Sequence, residues 1–85
     1  MKYNNAKIKE LIANKKIKKI KKLIDNNKIE FEQVFNIACI NDDINLINLL
    51  MYDKEKIKKG MIFCCRNNYP EIIEKILDKL NMLSV

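Results

Sequence analysis

The sequence predicts an all-α fold, an α-solenoid of three helix-turn-helix pairs in one domain. Three observations predict it. The stretch at 38–51, ACINDDINLINLLM, reads as two short helices about a tight polar corner; the pattern returns 26 residues later at 64–77, CCRNNYPEIIEKIL, and 26 residues earlier at 12–25, IANKKIKKIKKLID. Nearly half the residues are apolar, with one Gly and one Pro, a composition that favours ordered helix over disorder. Finally, apolar residues recur at helical spacing in segments of about ten residues, too short to be stable alone. Only stacking buries such faces, which is the physical logic of a repeat array. The chain of 85 residues is one small domain, with units at about 4–27, 28–53 and 54–80 and a tail at 81–85.

The first helix is expected over about 5–14, with Ile8, Leu11 and Ile12 on one face and Asn4 or Asn5 as its cap. Lys15 and Lys16 form the corner. The second helix covers about 17–26, with an apolar stripe of Ile17, Ile20, Leu23 and Ile24. Asn26 and Asn27 end it, Asn being the residue besides Gly that best tolerates a left-handed C′ position. In the third helix Phe31, Phe35 and Ala38 share a face that Val34, Ile37 and Cys39 widen, so neighbours are expected on more than one side.

Asn41, Asp42 and Asp43 make the second corner, where either Asp can cap a helix carrying Ile44, Ile47, Leu50 and Met51. Asp53 is a good cap for the fifth helix, in which Ile57, Met61 and Cys64 are the counterparts of Phe31, Phe35 and Ala38. Gly60 inside that helix costs about 0.5–1 kcal/mol relative to Ala and permits close helix approach. Asn67, Asn68 and Tyr69 form the third corner, Pro70 suits a first helical residue, and Ile72, Ile73, Ile76, Leu77 and Leu80 complete the last apolar face. Met82, Leu83 and Val85 follow as an apolar tail, expected either to pack as a lid or to fray.

Composition narrows the function classes. No run of about 18 apolar residues exists to cross a membrane, and the N-terminal stretch lacks the 7–15-residue apolar core of a secretory signal, which is therefore not expected. Cys39, Cys64 and Cys65, an odd set with one adjacent pair, read as reduced thiols of a cytoplasmic, reducing environment and as small buried fillers. There is no His, no Cys-x-x-Cys spacing and no Gly-rich phosphate loop, so no metal, cofactor or catalysis is expected. Lys, Ile and Asn dominate the usage, which fits an AT-rich coding sequence.

The pattern resembles a divergent ankyrin repeat. Ala38 and Cys39 take the place of that family's paired small residues; Asn41, Asp42 and Asp43 stand at its Asn-Gly-His corner; Ile44, Leu46, Ile47, Leu49, Leu50 and Met51 fill its outer-helix apolar positions. The third copy agrees through Cys64, Cys65, Asn67, Ile72, Ile73, Ile76 and Leu77, and the first through Ala13, Ile20, Leu23 and Ile24. Lys18 and Lys21 depart from the apolar pattern as a capping repeat would, and Pro70 and Lys75 depart in the third copy. The family's corner Gly is absent, and its Thr-Pro-Leu-His run appears only as Gln33-Val34-Phe35-Asn36 and Lys59-Gly60-Met61-Ile62. The family repeats at about 33 residues, so the shorter period here implies units without the projecting β-hairpin fingers.

The resemblance implies partner contacts near the ends of the inner helices: Asn14, Lys15, Asn36, Ile40, Asn41, Arg66, Asn67 and Tyr69, with Lys59 along the same strip. Exposed Ile40 with Arg66 and Tyr69 is a mixture typical of binding hot spots. The expected function is a small protein-protein interaction module that occludes one partner of acidic surface, as a virus- or phage-encoded inhibitor of a host factor or defence complex would. The module is expected to be a monomer or weak homo-oligomer, without membrane contact. Charge supplies the alternative. Residues 1–30 carry a net +7 and residues 31–85 a net −1, for +6 in all. Lys15, Lys18, Lys19, Lys21 and Lys22 spread over one side of the second helix, so nucleic acid is the second expected partner, through Lys15, Lys18, Lys19 and Lys22. A single Arg and the lack of interleaved aromatics weigh toward protein.

Overall fold

A computed structural model describes residues 3–83, apart from the side chains of residues 79, 80, 82 and 83. The described residues form six helices and no strand: α1 (Asn5–Ala13), α2 (Ile17–Asp25), α3 (Phe31–Ile40), α4 (Ile44–Leu50), α5 (Lys54–Asn67) and α6 (Pro70–Leu83). α6 runs on through Leu83, into the stretch expected to be tail. The Leu80, Met82, Leu83 and Val85 side chains, to which the sequence assigns the end of the last face and the tail, lie outside the described residues.

Starts and stops follow local chemistry. Asn4 Oδ1 accepts from Lys7 N at 2.8 Å, Asp43 Oδ1 from Leu46 N at 3.1 Å and Asp53 Oδ1 from Lys56 N at 2.8 Å, satisfying amides that open α1, α4 and α5. Pro70 is the first residue of α6, where its missing N–H costs nothing. Each helix-corner-helix unit turns on one left-handed residue: Lys15 (φ 55°), Asp42 (φ 50°) and Asn68 (φ 57°). The amide after each reaches back five residues, Lys16 to Leu11 (2.9 Å), Asp43 to Ala38 (2.9 Å) and Tyr69 to Cys64 (3.0 Å). The corners therefore repeat at 27 and then 26 residues, one more in the first interval than the uniform period expected. Asn27 (φ 58°) ends α2 in the same manner.

α1 packs on α2, α3 on α4 and α5 on α6, and α3 also touches both α1 and α5. The centrality of α3 explains its apolar richness: Phe31, Val34, Phe35, Ile37, Ala38 and Cys39 are all buried. An aromatic row crosses from α3 into the last pair, with ring centroids 5.1 Å apart for Phe31–Phe35, 5.5 Å for Phe35–Phe63 and 6.3 Å for Phe63–Tyr69. Gly60 makes room for it, since a Cβ there would stand 3.1 Å from Phe35 Cζ and 3.4 Å from Met51 Sδ. The expected close approach thus has a named cause. Cys39 and Cys64 are buried fillers as expected, but Cys65 is exposed, because helical rotation from buried Cys64 carries its neighbour off the α3 contact. The longest extent of the molecule is 39 Å, against 24 and 20 Å across.

Candidate functional site

The side chains singled out for partner contact lie along α1, α3, α5 and their corners, with Asn14, Asn41 and Asn67 at equivalent positions. Asn14 and Lys15 close α1, Ile40 and Asn41 close α3, and Arg66 and Asn67 close α5. Ile40 leaves 66% of its surface in water, the largest value among the exposed bulky apolar residues described. A buried inner helix reaches this state because Ile40 is its last residue, beyond the packed turn of Ile37, Ala38 and Cys39. Ile62, one turn before Arg66, is also exposed and extends the apolar character to α5; the sequence reading missed it because its face is that of polar Asn36 in the preceding unit.

Two expected contact residues are engaged within the chain. Asn67 Nδ2 donates to the Phe63 carbonyl at 2.9 Å, and half-buried Tyr69 stacks on Phe63 with 9° between planes. Asn67 is also the last residue of α5 rather than part of the corner. Asn36 is half-buried, whereas Asn14, Lys15, Asn41 and Arg66 are exposed.

The lysines set apart by the sequence are exposed, with one exception. Lys15, Lys18, Lys19 and Lys22 are exposed and form no ion pair among the described residues. Lys21 leaves that face: its Nζ sits 5.1 Å from the centroid of the Tyr52 ring. α2 also starts without a side-chain cap or an acid in its first turn; Lys16 holds the cap position and Lys18 and Lys19 follow. Cations at a helix N-terminus oppose the macrodipole.

A polar cluster that sequence reasoning missed joins all three pairs. The Tyr52 hydroxyl donates to Asp25 Oδ1 at 2.8 Å, and Lys21 from the first pair and Lys56 from α5 both lie over its ring. Lys56 is buried, its alkyl stem covered while the ammonium stays 5.7 Å from the ring centroid. Burial and the Asp25, Asp53 and Glu55 carboxylates hold the phenol well above its ordinary pKa, so it stays a donor. The recess beside it, about 470 Å³, is lined by Asp25, Glu30, Glu32, Asp53, Glu55, Lys56 and Lys59. Asp25 and Tyr52 are one 27-residue interval apart, hence at equivalent positions of successive units, and that was the available signal.

Burial lifts the Cys39 thiol to about 12, with Cys64 close enough to add to the effect, and burial raises Cys64 as well. Neither is a nucleophile at neutral pH. Among the described residues no cluster of three or more His, Cys, Asp or Glu is placed to hold a metal ion, and no helix is long and apolar enough to cross a membrane. No protein-family model matches the chain, and no curated protein or solved structure matches it.

Proposed function

We infer that the three helix pairs stack as a short, fingerless solenoid related to ankyrin repeats, and that the chain is a non-catalytic module binding one partner protein. Support for the relationship comes from the corners: Asp42 adopts φ 50° at the position where the resembled family carries its Gly. The same left-handed geometry at Lys15 and Asn68 makes the three corners equivalent. Support for binding rests on one observation, the 66% exposure of Ile40 midway along a strip whose neighbouring positions are Ala13, Asn14 and Lys15 on one side and Arg66 on the other. An exposed isoleucine flanked by cations fits an apolar side chain on an acidic partner surface. The small size favours occlusion over scaffolding, the mode of a viral or phage inhibitor acting in a reducing cytoplasm.

The test is recovery of a partner at near one-to-one stoichiometry on the tagged chain, repeated with Ile40→Glu and Arg66→Glu. Loss of that partner from both variants, with helical content unchanged, is the expected result. Retention by both removes the strip as a binding surface.

A second reading keeps its own observation, four lysines outside any ion pair among the described residues, beside the uncapped start of α2. If a nucleic-acid backbone binds there, affinity for an oligonucleotide falls steeply with salt, and Lys18→Glu with Lys19→Glu and Lys22→Glu flattens the slope by about 0.7–0.9 for every phosphate no longer neutralised. A flat slope in the unaltered chain rejects it.

A further inference from the structure

The second helix pair meets α5 through a small set of side chains. Phe35 and Met51 close over Gly60, the Cys39 thiol approaches Cys64, and Tyr52 lies beneath the Lys56 ammonium. Phe35, Cys39 and Met51 are buried as a result. The corners at Asp42 and Asn68 give the register to the third pair, 26 residues on, where the equivalent residues are Met61, Cys65, Leu77 and Asp78. There the same positions are open: Met61 is half-buried, Cys65 and Asp78 are exposed, and Leu77 is 45% exposed. The third pair thus presents the giving half of an interface used once already inside the molecule.

The opposite end is built differently. Lys7 and Glu10 stand where the second pair has Val34 and Ile37 and the third has Gly60 and Phe63. They face water and their charged groups lie 3.8 Å apart. Stacking another unit on that end would bury both charges, at a desolvation cost that their attraction does not repay.

We propose that a second copy of this chain covers the α5–α6 face, giving a closed twofold dimer. Charge selects this occupant. The net +7 of residues 1–30 belongs to the first pair and residues 54–85 carry a net +3, but the charged residues among the open positions of the face itself, Lys58 and Asp78, are one of each sign. Both signs are present on the third pair. Lys58 is the counterpart of Glu32, which lines the recess shared with Lys56 and Lys59, and Asp78 is the counterpart of Tyr52. Both are exposed and outside any ion pair among the described residues. A twofold axis parallel to the helices sets α5 of one copy against α6 of the other and brings Lys58 to Asp78 of the second copy, twice. Growth stops at two because the outward ends are the charged ones.

Sedimentation velocity over about 1 µM to 1 mM, the span in which a weak interface dissociates, is the measurement. The mass is expected to rise from 10.1 kDa to twice that value. Leu77→Lys and, separately, Met61→Lys weaken the pairing by about tenfold or more with helical content retained. Lys58→Asp and Asp78→Lys each weaken it by about two- to tenfold, and the double variant recovers it. That rescue does not depend on the apolar variants folding. A monomer at every concentration, a mass that grows past two copies, or a dimer indifferent to Leu77→Lys, Met61→Lys and both charge reversals overturns the proposal. Ile40→Glu leaves the mass unchanged, so this result and that of the partner-binding test are read separately.

Discussion

Gly60 is the residue on which the contact between the second and third pairs turns. Its missing Cβ admits the edge of Phe35, itself held between Phe31 and Phe63, so the ring has nowhere to retreat. Gly60→Val is therefore expected to lower stability by roughly 1–3 kcal/mol, read as a shift of the urea midpoint, because overpacking outweighs the gain in helix propensity. The thiols make a second case. Cys39 and Cys64 have raised pKa values in the fold and 9.0 as their ordinary value, so below pH 9 both states are protonated and the full stability is present. As pH rises above 9 the unfolded chain loses protons that the folded chain keeps, and stability falls by up to about 1.4 kcal/mol per pH unit for each group, a loss continuing toward pH 12 for Cys39. Denaturant midpoints from pH 8 to 11 measure this, and Cys39→Ala is expected to flatten the fall. In the native chain a thiol reagent should modify exposed Cys65 alone.

At the scale of the element, the corners carry most of the local information. Lys15 occupies a left-handed position at φ 55° that a side chain with a Cβ reaches only at a cost of about 1 kcal/mol. Lys15→Gly is expected to raise the melting temperature, by a gain of roughly 0.5–1 kcal/mol, since the same turn then forms without that strain. Caps are the reverse case: Asp53→Ala removes the acceptor for Lys56 N and should cost about 1 kcal/mol. Elements were legible where such punctuation is present. Asp43, Asp53, Asn27 and Pro70 each stand where the sequence assigns them, and the starts of α1, α2, α4, α5 and α6 followed to within a residue or so. α2 was legible without a cap because its Ile17, Ile20, Leu23, Ile24 stripe is unambiguous.

For the whole molecule, charge is the variable that packing does not settle. Ten lysines crowd the first pair and its corners, against three acids. Raising salt from about 20 to 200 mM contracts the Debye length from roughly 20 to 7 Å and relieves this repulsion. The melting temperature should rise by roughly 2–5 °C, an effect below 1 kcal/mol for a domain of this size. A fall would mean that surface attraction, such as that of Lys59 for Glu55 at 3.4 Å, outweighs repulsion.

What the sequence by itself determined is what has a short reach: six helices, three polar corners, the caps and the apolar stripe of each segment. Helical periodicity and corner chemistry are set within a few residues, so they survive without knowledge of neighbours. Tertiary structure alone decided what happens between units. It drew Lys21 off the lysine face onto Tyr52, buried Lys56 against the same ring, turned Cys65 outward beside buried Cys64, and left Leu77 open where Met51 is covered. Each of these depends on which residue of the next pair lies opposite, and a contact between units some 26 residues apart is fixed by the stacking of helices rather than by the identity of the residue itself.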